Sequence, residues 1–131
     1  MLEKKQSITA LWLYKKENEN GRLVDKKTGE PTANTLKILL KDIIFATTLN
    51  IRKDYLKVVD KNGTEYFKKL PLMKIVEIDR QFVFTRKDTI INTLHVDKKF
   101  EWDYIWIQKH RFKISRWYKQ EVRESFSSVV V

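Results

Sequence analysis

Cysteine is absent from the 131 residues, glycine occurs three times and proline twice. The first absence excludes disulfides and thiolate catalysis and leaves the core to hold without covalent links, which fits a reducing compartment. No run approaches the roughly 18 apolar residues that span a bilayer, and Met1 to Tyr14 lacks the basic, apolar, then small-residue order of a signal peptide. The expectation is a protein that stays in the cytoplasm of the producing cell and has no membrane partner. Signatures of chemistry are equally sparse. Gly21, Gly29 and Gly63 lie too far apart to cradle a phosphate, and no serine stands in a Gly-x-Ser-x-Gly context. With two histidines in the chain, His95 and Asp97, beside Glu101 and Asp103, form the one short-range metal-type grouping, and a turn carrying ordinary charges explains it more simply. The chain reads as a non-enzyme with no cofactor, no metal and no small-molecule substrate.

What is present is enough apolar matter for one core. Apolar residues make up 42% and aromatics 12% of a chain near the commonest domain size, so a single domain over residues 1–131 is expected. The net charge of +10 is shared between the halves, with 13 basic against 9 acidic residues before position 66 and 14 against 8 after it. Doublets such as Lys15-Lys16 and Lys68-Lys69 decorate a solvated surface, and charge of this kind bears on partners and solubility more than on fold.

Apolar periodicity predicts a mainly β fold, a small antiparallel β-barrel or sandwich. Ser7 to Tyr14 is apolar on both parities, as in a strand buried on two faces. Residues 15–34 are polar, contain two glycines and Pro31, and read as a long polar arm. Leu36, Leu39, Leu40, Ile43 and Ile44 follow the i, i+3, i+4, i+7, i+8 template and predict one helix near residues 35–47, with Asn34 or Thr35 as N-cap. Ile38, Phe45, Thr47 and Thr48 suit a strand equally well. Tyr55 to Leu70 predicts a hairpin turning at Lys61-Asn62-Gly63, where Gly63 supplies a positive φ. Met73–Ile78 and Gln81–Arg86 are two further β-rich runs. Phe100, Trp102, Tyr104 and Trp106 alternate with Glu101 and Asp103, which predicts a strand from Phe100 to Ile107 whose aromatic face turns inward, paired with a returning strand from Arg111 to Arg116. A last strand is expected from Glu121 to Val131.

Two surfaces stand out. Lys109, Arg111, Lys113, Arg116, Lys119 and Arg123, accompanied by Trp117 and Tyr118, form a basic stretch suited to phosphate or an acidic partner. The terminal run containing Phe126, Val129, Val130 and Val131 is apolar and β-branched, and reads as a strand that either closes its own sheet or contacts another subunit.

Asp103-Tyr104-Ile105-Trp106-Ile107 followed by Arg111-Phe112-Lys113-Ile114, with a short first strand and a polar arm over Ile8 to Thr32, resembles the head–tail connector (head-closure or stopper) proteins of tailed bacteriophages. Gln108-Lys109-His110 stand where that family's turn usually carries glycine. The resemblance implies a structural, ring-forming virion protein whose partners are copies of itself and neighbouring virion proteins. Two alternatives accompany it: a basic β-domain that binds nucleic acid non-specifically, and a small phage-encoded inhibitor of a host protein.

Overall fold

The hairpin predicted at Tyr55 to Leu70 is present and shows how local signals set the fold. The computed structural model describes residues 10–14, 35–50, 53–101 and 103–127. Strand β1 (Ala10–Tyr14) is followed by β2 (Thr35–Leu39), β3 (Ile43–Thr48), β4 (Tyr55–Asp60) and β5 (Glu65–Lys69). The β4–β5 turn closes on Asp60. Its carboxylate accepts the backbone N–H groups of Asn62 and Thr64, both at 2.9 Å, and the Tyr66 hydroxyl at 3.0 Å, while Gly63 takes φ +84°. Burial and this bond to the carboxylate raise the Tyr66 pKa above its ordinary value.

Beyond β5 the chain forms helix α1 (Leu72–Ile78), strands β6 (Phe82–Arg86) and β7 (Thr89–Asn92), then β8 (Lys98–Glu101), β9 (Tyr104–Ile107), β10 (His110–Lys113) and helix α2 (Lys119–Ser127). The fold is mainly β and antiparallel. One sheet has the order β2-β1-β5-β4-β3-β7-β6 and the other β10-β9-β8. Five strands, β5 to β6 in that order, make the main body of the first sheet. The β1–β2 hairpin joins it through the pairing of Tyr14 with Phe67, supported by the Lys68 ammonium, which donates to the Trp12 carbonyl at 3.3 Å.

The central strands are buried on both faces. One face carries Ala46, Leu56, Val58, Tyr66, Phe82 and Ile90 against Leu11 and Leu13 of β1 and Leu72 and Ile75 of α1. The other carries Phe45, Val59, Val83 and Ile91 against Ile105 and Ile107 of β9, Ile114 and Val122 of α2. Each fully buried aliphatic side chain contributes roughly 1.5–3 kcal/mol relative to exposure, so both covers matter to stability. The result is layered, and no closed barrel forms among the described residues. No helix among them is long and apolar enough to cross a membrane.

Four expectations are corrected. The helix near residues 35–47 is strand β2, a 3-10 turn at Leu40–Asp42 and strand β3. The helical spacing there is produced by a corner: Leu40 and Ile43 face one core and Ile44 the other, and the pairing of Leu13 with Leu36 and of Leu11 with Ile38 sets β2. Cross-strand pairing overrides propensity. The run Met73–Ile78 is helical, with Leu72 and Ile75, three apart, buried on the sheet. The strand expected over Glu121–Val131 is helix α2 as far as Ser127, because Val122 and Phe126 are four apart, a spacing that serves a helix face as well as a strand face. Phe126 therefore packs half-buried against the second core and offers no subunit-contact strand, while Val129, Val130 and Val131 lie outside the described residues. Finally, β1 is buried on one face, since Trp12 is exposed. The polar arm at residues 15–34 also lies outside the described residues.

Asn92, fully buried at the end of β7, ties that strand to the start of β3 and to the turn that follows it. Its amide donates to the Ile43 carbonyl at 2.9 Å and its oxygen accepts the Leu94 N–H at 3.0 Å. Asn92→Leu leaves both backbone groups unsatisfied, and a loss of about 2–3 kcal/mol is expected. Urea unfolding should show a lower midpoint at unchanged slope, and an unchanged midpoint would remove Asn92 from this role.

Candidate functional site

The expected strand from Phe100 to Ile107 is two strands, β8 and β9, joined by a tight hairpin in which Glu101 pairs with Tyr104. This break matters to the site. Glu101 and Asp103 made the odd face look polar, but Glu101 ends β8 and Asp103 lies in the turn, so neither belongs to the strand of Ile105 and Ile107. Those two isoleucines are fully buried against the main sheet, so the pleat turns Tyr104 and Trp106 to the outer face. The inward aromatic face predicted for this segment is thereby reversed for both residues. Inside, the space between the sheets is filled by branched aliphatics with Phe112 and His110, whose rings each meet Phe45 edge-on at 4.9 Å. Burial, with Lys109 and Lys57 adding to it, lowers the His110 pKa below 6.5 and keeps the ring neutral near pH 7.

On the outer face, β9 and β10 pair Trp106 with Arg111 and Tyr104 with Lys113. The Arg111 guanidinium lies 4.4 Å from the centre of the Tyr104 ring and 5.9 Å from that of Trp106. Arg111 and Lys113 are exposed, and both rings are half-buried. The turn holding this hairpin lacks glycine, and Gln108 takes the left-handed conformation instead, at φ 54°. Its backbone N–H donates to Asp97, and its side-chain amide donates to the Lys61 carbonyl at 2.7 Å, which fixes the hairpin tip to the β4–β5 turn.

At the other end of the hairpin the basic surface continues onto the C-terminal segment. After Ile114 a 3-10 turn at Arg116–Tyr118 leads directly into α2. Tyr118 stacks on Phe84 at 5.6 Å, whereas Trp117 is 82% exposed with the Arg116 guanidinium 5.9 Å from its ring. Val122 points inward, and Lys119 and Arg123, four apart, share another face of the helix. Arg116, Lys119, Gln120, Arg123 and Glu124 line an open groove of about 540 Å³. Asp103 links helix and hairpin: its carboxylate accepts the Lys119 ammonium at 2.5 Å. That hydrogen bond, with the charges of Lys119, Lys113 and Arg123 behind it, holds Asp103 below the ordinary carboxylate value despite partial desolvation.

Of the six basic residues singled out from sequence, five therefore form one surface running from Arg111 and Lys113 to Arg116, Lys119 and Arg123. They come from a strand, a turn and a helix, not from one strand. Lys109 stands apart at the hairpin tip. Tyr104 and Trp106 are the site residues that sequence reasoning placed elsewhere. The cations Arg111 and Lys113, at matching parity on the returning strand, were the available signal for them. The metal-type grouping is dispersed: His95 bonds the Lys41 carbonyl at 2.7 Å, Asp97 bonds Gln108, and Asp103 bonds Lys119. No group of three or more His, Cys, Asp or Glu among the described residues could hold a metal ion.

No protein-family model matches the chain, and no curated protein matches it significantly.

The Asp103–Lys119 pair gives a titration test. Because the folded carboxyl titrates below its ordinary value of 3.8, the stabilisation it brings is present above that value and is lost as pH falls through the depressed one. Carboxyl-detected NMR should find Asp103 depressed in the native chain and shifted back toward 3.8 in Lys119→Met. An Asp103 titration that ignores the substitution would break the proposed link between α2 and the hairpin.

Proposed function

We propose that this protein is a non-catalytic nucleic-acid-binding domain that engages its ligand through the outer face of the β8–β10 sheet and the adjoining face of α2. One observation carries the reading. Tyr104 and Trp106 lie on the outside of the sheet, with Lys113 opposite Tyr104, Arg111 opposite Trp106 and its guanidinium laid over the Tyr104 ring, above a layer of fully buried isoleucines. A rigid floor, flat rings and cations at successive positions are the components of backbone-tracking, sequence-tolerant binding. The +10 net charge supplies long-range attraction to a polyanion, and Arg116, Lys119 and Arg123 extend the phosphate-contacting surface. Among the described residues no array of side chains suited to reading base edges in a groove accompanies this face, and the binding proposed is sequence-tolerant.

The test is the salt dependence of affinity for a labelled mixed-sequence oligonucleotide. With Z phosphates neutralised, log K should fall with log salt at a slope of about −0.7Z to −0.9Z. Lys113→Gln should reduce that slope by about 1 while leaving the fold intact. Absence of binding at low salt, or a slope near zero, would refute the reading.

A second reading is the ring-forming virion protein of the head–tail connector type, which places the chain in the virion as well as in the producing cell. It is supported by the open main sheet, whose terminal strand β2 pairs along one edge among the described residues and so leaves backbone groups for a neighbouring subunit, whereas β6 already takes the Ser115 N–H on its Thr85 carbonyl. Sedimentation should then reveal a discrete oligomer that grows with concentration. Monomers throughout, with neighbouring virion proteins present, would eliminate it.

A further inference from the structure

The face described above has a spacing that bears on the form of its ligand. Tyr104 and Trp106 are two residues apart on one strand, which separates their attachment points by about 6.8 Å. Successive nucleotides along one strand of a duplex rise by about 3.4 Å, half that distance. Two neighbouring bases can each lie on one of these rings when the strand is extended and its bases are unstacked. A duplex keeps its bases inside and offers a ring nothing to stack on.

The surrounding chemistry agrees. The Arg111 guanidinium is planar and sits 4.4 Å from the Tyr104 ring centre, in the place and at about the separation a base would adopt. Arg111 thus occupies the platform in the free protein. Lys113 stands opposite Tyr104 and Arg111 opposite Trp106, one cation for each ring. Helix α2 is a poor probe for a duplex groove, since it has nine residues and is held against the core by Val122. Its exposed basic face and the neighbouring Trp117 continue the same line of cations and rings.

We infer that the ligand is a single-stranded nucleic acid whose unstacked bases lie on Tyr104 and Trp106, and that Arg111 leaves the Tyr104 ring for a phosphate when a base arrives. The inference rests on the nucleic-acid reading and specifies its substrate class. It is tested on the unaltered protein by anisotropy with a labelled 12-residue oligo(dT) and with a mixed-sequence duplex of the same length, at one low salt concentration. The single strand should bind at least about ten-fold more tightly, since stacking on one ring is worth about a factor of five or more. Equal or tighter duplex binding overturns the inference and leaves the broader reading standing. Failure of both ligands to bind overturns the broader reading as well. Tyr104→Leu should lower single-strand affinity about ten-fold without changing duplex affinity, and Tyr104→Phe, which keeps the ring, should restore it. A single-strand preference that survives Tyr104→Leu in a protein with native circular dichroism would place the bases elsewhere and also overturns the inference.

Discussion

Strands β3, β4 and β7 are apolar on both faces, and most of the structure follows from having to cover both. Ala46, Leu56, Val58 and Ile90 face one side while Phe45, Val59 and Ile91 face the other. Such a sheet cannot leave either surface to water without exposing several large side chains. The chain spends the β1–β2 hairpin and α1 on the first face and the β8–β10 sheet with α2 on the second. That second cover is thin, and its inner positions go to Ile105, Ile107 and Ile114, which nest against an aliphatic surface. Alternation along β9 then leaves Tyr104 and Trp106 no place but outside. The candidate site is thus set by core demand: the same pleat that buries the isoleucines presents the rings.

Electrostatics holds the two halves of that surface together. Lys113, Lys119 and Arg123 all act on Asp103, and like charges gathered so closely repel unless something intervenes. A single carboxylate satisfies Lys119 by a direct bond and leaves the surface with an excess of positive charge. An exposed pair of this kind adds little to stability. Its effect is positional, because Asp103 stands in the turn just before β9 and Lys119 opens α2, so the bond sets where the helix begins relative to the hairpin. A polyanion arriving there meets cations already held in place, which lowers the ordering cost of binding.

Where the signal was local, the sequence was legible. The β4–β5 hairpin was readable because Asp60, Asn62 and Gly63 specify their turn without outside help. Mainly-β character was readable from the β-branched and aromatic runs. Legibility failed where one spacing serves two periods. Val122 and Phe126 are four apart, which fits a helix and a strand alike, and Leu36 to Ile44 wraps a corner whose two sides belong to different cores. The site was half legible. The basic residues could be named, but their assembly from three elements depends on the 3-10 turn at Arg116–Tyr118, and the outward aromatic face depends on a hairpin break after Glu101 that polar residues disguised.

The charges on β10 also bear on which surfaces are left for assembly. β10 is an edge strand of the small sheet, and it carries Arg111 and Lys113 among its four residues. Basic side chains on an edge oppose the approach of a second strand, since a copy of the same edge brings the same charges. Self-association through the β10 edge is therefore disfavoured, and strand addition at the main sheet falls to its β2 end, since β6 is engaged by Ser115. The nucleic-acid and ring-forming readings thus draw on different parts of the molecule. On the nucleic-acid reading, a basic, aromatic face beside an edge that repels its own copy serves a polyanion whether the chain works alone or as one of many.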